Sequence, residues 1–407
     1  MTKQKVLIVG GGFGGVKAAL DLAEDDRLDI TILSDNDFFQ YYPRLYHVAT
    51  GGTRENASIP LRSIFEGKNV TIKQGRAATI DRKQKLILTD QQESYPYDTL
   101  ILSLGVINNY FHIPGLEELS YGIKSIRDIE ILKNHLHQQL VSEHKPDLNY
   151  IVVGGGPTGI ELAGSLPDYL KKLMDLHGIE RRSVHVDLVE AAPRLLPKMP
   201  KDVARTIKKR LEKHGVKVYV GQAVQGETAN ELMVNGKPIQ SHTVIWTAGM
   251  ANHPFFSANN FTLTPNHKVA TDIFLQAEEN IFVLGDNANT PYSGMAQTAL
   301  HDGKFVAENL KRKLDGKAMK SYRAHMPTTI IPVGEDWAAV IRGNLKIYGW
   351  LGYALRQSAD AIAFHDYEPW VQAGHQWLTY YGSEETCQVC LESIGPNRNR
   401  QLQTEQQ

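Results

Sequence analysis

The sequence predicts an α/β fold with two similar domains and a C-terminal helical or mixed region. A repeat is the first observation: "KVLIVGGGFGGVKAAL" near the start is similar to "NYIVVGGGPTGIELAG" at 149–164. Each copy is an apolar β-type run, a glycine cluster and then a helical pattern. The second observation is the length of 407 residues, which is too great for one ordinary core. These observations predict two Rossmann-like domains in one polypeptide.

The other apolar runs add strands to each domain. Runs 28–34 and 184–190 are predicted as the second strands of the two domains, and runs 98–105 and 242–249 each end in a small-residue turn. One more buried strand, 280–286, ends in Gly-Asp, and the pattern changes after about residue 320. The predicted division is 1–115 and 253–320 for the first domain, 116–252 for an inserted second domain, 321–385 for the C-terminal region and 386–407 for a disordered tail.

Composition and charge exclude several classes of protein. A net charge of −1 with 22% charged residues argues against a disordered chain and against a nucleic-acid partner. The two cysteines, Cys387 and Cys390, are too few for a disulfide-built secreted protein. They form either half of a zinc site shared across a dimer or a pair of idle thiols; the second interpretation is favoured, and no metal site is predicted. No signal sequence and no spanning run of roughly 18–20 apolar residues is found, which predicts a cytoplasmic or membrane-peripheral protein.

Both glycine clusters follow the pattern G-x-G-x-x-G. In this pattern the first glycine makes a tight turn, the second lets the backbone approach a pyrophosphate, and the third allows close helix–strand packing. The helix that follows directs free N–H groups at the phosphates. Because the pattern occurs twice in one context, it favours dinucleotide binding over glycine turns in a nucleotide-free domain. The glycines are Gly10, Gly12 and Gly15 in the first cluster, and Gly154, Gly156 and Gly159 in the second.

A carboxylate at the end of the second strand is expected to bind a ribose. In the second domain this residue is Glu190, which favours NADH because it would repel the 2′-phosphate of NADPH; Arg194 nearby leaves the preference open, and Glu190 is alternatively a solvated strand end. In the first domain the register allows Ser34 or Asp35, and Asp35 is favoured. Asp286 either accepts hydrogen bonds from a flavin ribityl chain or caps a helix; beside two dinucleotide domains, the flavin role is favoured.

These motifs resemble those of flavoproteins with two dinucleotide-binding domains, and most of all those of the type II NADH dehydrogenases, which are NADH:quinone oxidoreductases. The resemblance covers roughly residues 4–312 well. It is carried by "VGGGFGG", "YYPRLYHVATGG", "VVGGGPTGIELAG", "VDLVEAAPRLLP", "VIWTAGM" and "VLGDNA".

The resemblance implies an enzyme in which NADH gives a hydride to non-covalently bound FAD, and two electrons then pass to a membrane quinone without proton pumping. FAD would lie in the first domain and NADH in the inserted one. The implied FAD residues are Gly10, Gly12, Phe13, Gly14, Gly15, Ser34, Asp35, Asn36, His47, Ala77, Ser103, Gly105, Gly285, Asp286, Ala296, Gln297 and Thr298. The implied NADH residues are Gly154, Gly156, Pro157, Thr158, Gly159, Glu161, Glu190, Ala248, Gly249 and Met250. The resemblance implies Glu161 and Gln297 as catalytic residues, and His301 is added to them as a candidate from the acid–base chemistry of its own side chain.

Two positions depart from the family pattern. The usual Ala-Thr-Gly turn is replaced by Ser103, Leu104 and Gly105, so a threonine hydroxyl is missing. The usual Gln-Gln pair is replaced by His301 and Asp302. We hypothesise that His301, held by Asp302 or another carboxylate, orients and protonates the acceptor, whereas the alternative is that it packs or faces solvent.

The segment 345–382 is rich in Trp and Tyr, which suits a membrane interface. Trp350, Tyr353, Ala354 and Gln357 fall at helical spacing. The segment either anchors the protein at the cytoplasmic side of the cell membrane, which the resemblance favours, or packs on the FAD domain or on a second subunit of a homodimer.

Other functions stay open. No cysteines lie at 38–50 or 154–165, which argues against disulfide reduction and sulfide oxidation at a flavin. The alternatives are a soluble NADH-dependent flavoenzyme that uses oxygen or a protein acceptor, and a redox-responsive interaction protein that resembles apoptosis-inducing-factor-like flavoproteins.

Overall fold

The computed structural model describes residues 3–143, 147–176, 178–179, 184–365 and 367. It divides into two compact units. Unit one comprises Met1–Tyr41, Ser58–Ile107 and Met250–Thr328. Unit two comprises Tyr42–Ala57, Asn108–Gly249 and the described residues from Thr329 onward. The residue boundaries of the domains given above stay a prediction.

Strands and helices follow one another along the chain in the order given by their numbers. The strands are β1 (Gln4–Val9), β2 (Leu28–Ser34), β3 (Phe38–Gln40), β4 (Ser58–Pro60), β5 (Val70–Gln74), β6 (Ala77–Asp81), β7 (Leu86–Thr89), β8 (Ser94–Pro96), β9 (Thr99–Leu102), β10 (Val106–Asn108), β11 (Asn149–Val153), β12 (His185–Glu190), β13 (Val216–Val220), β14 (Val224–Glu227), β15 (Glu231–Val234), β16 (Lys237–Gln240), β17 (Thr243–Trp246), β18 (Met250–Asn252), β19 (Gln276–Glu278), β20 (Ile281–Val283), β21 (Thr329–Pro332), β22 (Ala338–Arg342) and β23 (Leu345–Gly349). The helices are α1 (Phe13–Leu22), α2 (Leu45–Ala49), α3 (Leu61–Ile64), α4 (Leu116–Leu119), α5 (Ile126–Glu143), α6 (Pro157–Leu176), α7 (Lys201–Lys213), α8 (Phe255–Ala258), α9 (Ala296–Leu314) and α10 (Trp350–His365), with short 3₁₀ turns at Tyr42–Arg44, Arg54–Asn56 and Gly285–Asn287.

Unit one is built on a sheet of order β19-β20-β9-β1-β2-β5, in which β20 to β5 run parallel and β19 is antiparallel. Strand β9 and the last four residues of β1 are buried, as expected for a parallel sheet that is covered on both faces, whereas β2 exposes Asp29. Helices α1 and α9 pack closely, since a Cβ at Gly303 would collide with the carbonyl of Gly14. The predicted strands 28–34, 98–105 and 280–286 are confirmed.

Unit two repeats the architecture with a parallel sheet of order β13-β12-β11-β17. The amphipathic helices α6 and α7 pack on one face. The other face carries an apolar cluster, to which Ile151, Val189 and Trp246 of the sheet and Leu232 of the antiparallel β14–β15–β16 sheet contribute. The predicted second Rossmann-like domain is thus confirmed as a fold.

The C-terminal part of unit two is an antiparallel sheet, β21-β22-β23, packed against α10. The helical spacing expected from Trp350 to Gln357 is therefore confirmed. Residue 366 and the residues beyond 367 lie outside the described residues. They include Cys387, Cys390 and the last part of the aromatic segment, 368–382. Within the part of the chain that the structure describes, no helix combines the length and the apolar character needed to cross a bilayer.

Candidate functional site

The first glycine turn connects β1 to α1 and forms an open cradle. Gly10 has φ +114°, and a Cβ there would collide with the carbonyl of Ser103, so only glycine fits. A Cβ at Gly12, the N-cap of α1, would meet no atom within 4 Å. The first turn of α1 has no acidic residue, so its free N–H groups face this space without a competing carboxylate. The turn therefore fits a pyrophosphate.

The second glycine turn, between β11 and α6, has the same design. Gly154 has φ +119°, and a Cβ at Gly156 would again meet no atom within 4 Å. The hydroxyl of Thr247 donates to the carbonyl of Val153 at 2.8 Å and fixes the base of the turn. Pro157 begins α6, where its missing N–H costs no hydrogen bond. Each unit thus carries its own anion cradle.

Glu190 ends β12 and is bound to the second glycine turn. Its Oε2 accepts from the N–H of Gly155 and its Oε1 from the N–H of Ala192, each at 2.6 Å. Each carboxylate oxygen retains a further lone pair for a ribose hydroxyl. Arg194 donates to the carbonyls of Leu196 and Met199 at 3.0 and 2.7 Å, so its guanidinium is engaged within its own loop.

The register of unit one resolves which residue corresponds to Glu190. The N–H of Gly10 bonds to the carbonyl of Leu33, just as the N–H of Gly154 bonds to Val189. The residue after Leu33 is Ser34, which is 3% exposed and whose Oγ would contact a Cβ at Gly11. Ser34 therefore occupies the position equivalent to Glu190, whereas the favoured Asp35 is exposed one residue further on and pairs with Asn36 at 3.0 Å.

The turn Gly285–Asn287 follows β20 and is held by buried side chains. Asn287, fully buried, donates to the carbonyl of Gly105 at 2.6 Å and accepts from the N–H of Gly105 at 2.9 Å. It thereby fixes the Gly105 turn that lacks the family's threonine hydroxyl. Lys268 donates to the carbonyl of Asp286 at 2.8 Å, and Oδ1 of Asp286 accepts from Gly294 at 2.9 Å. Sequence reasoning missed Asn287, although a polar residue directly after Gly-Asp was a signal.

Helix α9 begins at Ala296, as predicted. The amide of Gln297 donates to the carbonyl of Thr328 at 3.2 Å and accepts from its N–H at 2.9 Å. One N–H of this amide remains for a ligand. Thr298, which is 3% exposed, donates to the carbonyl of Tyr292 at 2.9 Å.

His301 and Asp302 have different partners, so the hypothesis that Asp302 holds His301 is wrong. Nε2 of His301 lies 2.8 Å from the carbonyl of Arg323 and therefore carries the donated proton. Asp302 is fully buried and accepts from the N–H of Gly285 at 3.0 Å and the hydroxyl of Tyr322 at 2.6 Å. The physical reason is helix geometry, since successive side chains point about 100° apart around the axis.

Glu161 is the fifth residue of α6, just past its first turn. Burial raises the pKa of its carboxyl to about 8; the charge of Arg356 opposes this shift and that of Asp360 adds to it. Glu161 thus favours its neutral, proton-bearing form at pH 7.

A buried charge cluster ties α10 to the segment before α2. Nε of Arg44 lies 3.1 Å from Oδ2 of Asp360, and these side chains are 1% and 3% exposed. Nε of Arg356 lies 3.4 Å from the same oxygen, and its Nη2 donates to the carbonyl of Pro43 at 2.5 Å. The guanidinium of Arg44 also lies 4.5 Å from the centre of the Phe364 ring. Sequence reasoning missed this cluster.

The remaining predicted residues fall in both units. Ala77 is buried in β6 of unit one, and Met250 is 52% exposed in β18. His47 lies on α2 of unit two, and Gly249 has φ +75° there. Among the described residues, no group of three or more His, Cys, Asp or Glu side chains could hold a metal ion.

The fold and the paired cradles match a known class. The family model of the pyridine nucleotide-disulphide oxidoreductases matches residues 4–303, and the chain belongs to this family. It is an oxidoreductase with the fold class predicted from the sequence.

The expected resemblance to the type II enzymes is also confirmed. The chain is 26% identical over 388 residues to a type II NADH:quinone oxidoreductase of Staphylococcus epidermidis, covering 89% of this chain and 96% of the relative. It is 27% identical to that of Staphylococcus aureus over 84% of this chain and 90% of the relative.

Solved structures share the fold. NDH2 from Plasmodium falciparum, in complex with NADH, matches with a TM-score of 0.81 at 17% identity, covering 94% of this chain and 99% of that one. The sulfide:quinone oxidoreductase of Aquifex aeolicus matches with a TM-score of 0.75 at 20% identity, covering 92% of each chain.

Proposed function

We propose that the chain is an FAD-dependent NADH:quinone oxidoreductase that does not pump protons. The observation that carries the proposal is the pair of open cradles, one in each unit, where a Cβ at Gly12 or at Gly156 would fill otherwise empty space before a helix N-terminus. FAD binds the first cradle and the residues of unit one named above, and NADH binds the second. The type II enzymes among the relatives support this assignment.

The preference for NADH over NADPH rests on Glu190 and Arg194. Glu190 places two carboxylate oxygens beside the cradle, where they suit ribose hydroxyls and repel a 2′-phosphate. Arg194 is bound to backbone carbonyls of its own loop and is not directed at a phosphate.

Bound FAD would supply the hydride acceptance and the electron delivery. The protein's residues orient the reactants and manage protons. Glu161 holds a proton at neutral pH, and the free amide N–H of Gln297 donates a hydrogen bond. His301, whose Nε2–H is held by the carbonyl of Arg323 rather than by Asp302, gives a proton to the acceptor from Nδ1 of its doubly protonated ring. Quinone reduction by His301→Ala at saturating NADH should be slower with an altered pH profile; an unchanged rate and profile would remove this role.

The enzyme is proposed to act at the cytoplasmic side of the cell membrane as a peripheral homodimer. Helix α10 supports the membrane contact because its exposed side is apolar: Trp350 is 75% exposed and Ile362 60%. The predicted region 321–385 would supply this contact. The FAD domain would comprise 1–115 and 253–320, and the NADH domain would comprise 116–252.

A steady-state assay tests the function. Under argon, the protein should consume NADH only when a soluble quinone analogue is added, with one quinol formed for each NADH. Consumption that needs oxygen or a protein acceptor instead would favour the soluble flavoenzyme. A reduced complex that persists in the presence of each acceptor would favour the redox-responsive interaction protein.

A further inference from the structure

Asp302 is a buried carboxylate that accepts two hydrogen bonds. It has no part in the proposed reduction of the quinone. It lies on α9, and its side chain is removed from solvent. Oδ2 accepts from the N–H of Gly285 at 3.0 Å, and Oδ1 accepts from the hydroxyl of Tyr322 at 2.6 Å. The carboxylate therefore joins the Gly285–Asn287 turn to the segment that follows α9.

We propose that Asp302 is a positioning residue for the flavin, acting through the backbone of Gly285. This inference rests on the proposed FAD site in unit one. Gly285 has φ +62° and orients the turn that carries Asp286. Because a Cβ on Gly303 would collide with the carbonyl of Gly14, α9 has little freedom to shift against α1. Asp302 thus holds the turn at a fixed distance from the first glycine cradle.

The burial of Asp302 and the groups that face it make its hydrogen bonding depend on pH. Tyr322 faces it from the segment after α9 and Asp286 from the turn, while α1 contacts α9 near this point through Gly14 and Ala18. Burial raises the pKa of Asp302 to about 6, although the bonds from Tyr322 and Gly285 oppose the shift. A protonated carboxyl loses one acceptor site, so one of its two bonds weakens below that pH.

The raised pKa also means that ionisation of Asp302 lowers the stability of the fold at neutral pH. Its folded pKa of about 6 exceeds the unfolded value of 3.8, so its contribution to stability is present below 3.8 and is lost as pH rises through about 6. An asparagine would keep an acceptor for Gly285 without this cost. A carboxylate differs from that amide because its two oxygens accept from Gly285 and from Tyr322 at once.

The inference is tested by diluting the holoprotein at a series of pH values between 5 and 7.5. Flavin fluorescence then measures how much FAD is released. For the wild type, the dissociation constant for FAD should rise as pH falls through about 6. Asp302→Asn should abolish that dependence and remain at least as stable as the wild type in thermal unfolding at pH 7.5. Asp302→Ala should weaken FAD binding at every pH by about tenfold. Tyr322→Phe should raise the pH at which FAD binding weakens, because the hydrogen bond from Tyr322 lowers the pKa of Asp302.

Asn309→Ala is the matched control. Asn309 is equally buried on α9, but its side chain bonds to the N–H and the carbonyl of Lys320, at 2.8 and 3.0 Å, rather than to Gly285. This variant should keep the wild-type pH dependence of FAD release. Asp302→Asn with the wild-type pH dependence, or Asp302→Ala with unchanged FAD affinity, would overturn the inference alone. A wild-type protein that binds no FAD would overturn the proposed function and the inference with it.

Discussion

Glu161 lies just past the first turn of α6 in surroundings that favour its neutral form. Burial raises the pKa of its carboxyl to about 8, which leaves it protonated at pH 7. A neutral carboxyl can donate a hydrogen bond or a proton where an ionised one would only accept. In the proposed function, Glu161 is therefore a proton donor, which its position in the sequence motif alone did not specify.

Substitution of Glu161 by Gln should remove the fall in the rate of quinone reduction at high pH. The wild-type rate of quinone reduction should fall as pH rises through about 8, because the carboxyl loses its proton, and Glu161→Gln should lack this fall. Stability follows the same sign: the folded pKa is raised above the unfolded 4.5, so the wild type loses unfolding free energy as pH rises through about 8. Urea unfolding at pH 6.5 and 9 measures the second effect. Equal pH dependence in both proteins would contradict the account.

Helix α10 has a charged buried side and an apolar exposed side, the reverse of an ordinary surface helix. Arg356 and Asp360 face inward, whereas Trp350, Leu351 and Leu355 are 75%, 46% and 38% exposed. Local periodicity predicted the helix but not which side is buried. The buried side depends on Arg44, which is 316 residues distant from Asp360 in the sequence.

The Arg44–Asp360 pair predicts a specific stability pattern. Arg44→Met should lower the free energy of unfolding by about 3–5 kcal/mol, because it leaves a buried charge without its main partner. The double variant Arg44→Met with Asp360→Leu should cost less than the sum of the two single variants, because the Arg44–Asp360 interaction is then lost only once, although Arg356 also loses Asp360 as a partner. Lys17→Met, which breaks a partly exposed i,i+4 pair with Asp21, is the control and should cost about 0.5 kcal/mol or less. Denaturant unfolding gives the values, and an additive double variant would contradict the pairing.

The exposed apolar side of α10 is expected to bind the membrane surface. Trp350→Ser combined with Leu355→Ser should reduce co-sedimentation with vesicles of phosphatidylethanolamine and phosphatidylglycerol, because it removes apolar area that would enter the interface. Ile273→Ser, which alters a side chain 60% exposed in unit one, should leave co-sedimentation unchanged. If the double variant pellets like the wild type, α10 is not the contact.

At the scale of the whole molecule, the sequence predicted the features that are local and repeated. The glycine turns, both parallel sheets and the start of α9 at Ala296 follow from short patterns of residues. The contacts of Asp302, Asn287 and Arg44 do not, because each joins segments that are distant in sequence and only the tertiary fold brings them together. The preference between Ser34 and Asp35 likewise required the register of β2 against β1.

The proposed function of the whole molecule is that NADH reduces a flavin bound by the same chain and that a quinone reoxidises this flavin. Anaerobic stopped-flow absorbance of the purified protein tests this claim most directly. We expect a yellow FAD spectrum that NADH bleaches faster than NADPH does. A quinone analogue should restore this spectrum at least as fast as steady-state turnover. A flavin that NADH leaves oxidised, or a reduced flavin that only oxygen restores, would contradict it.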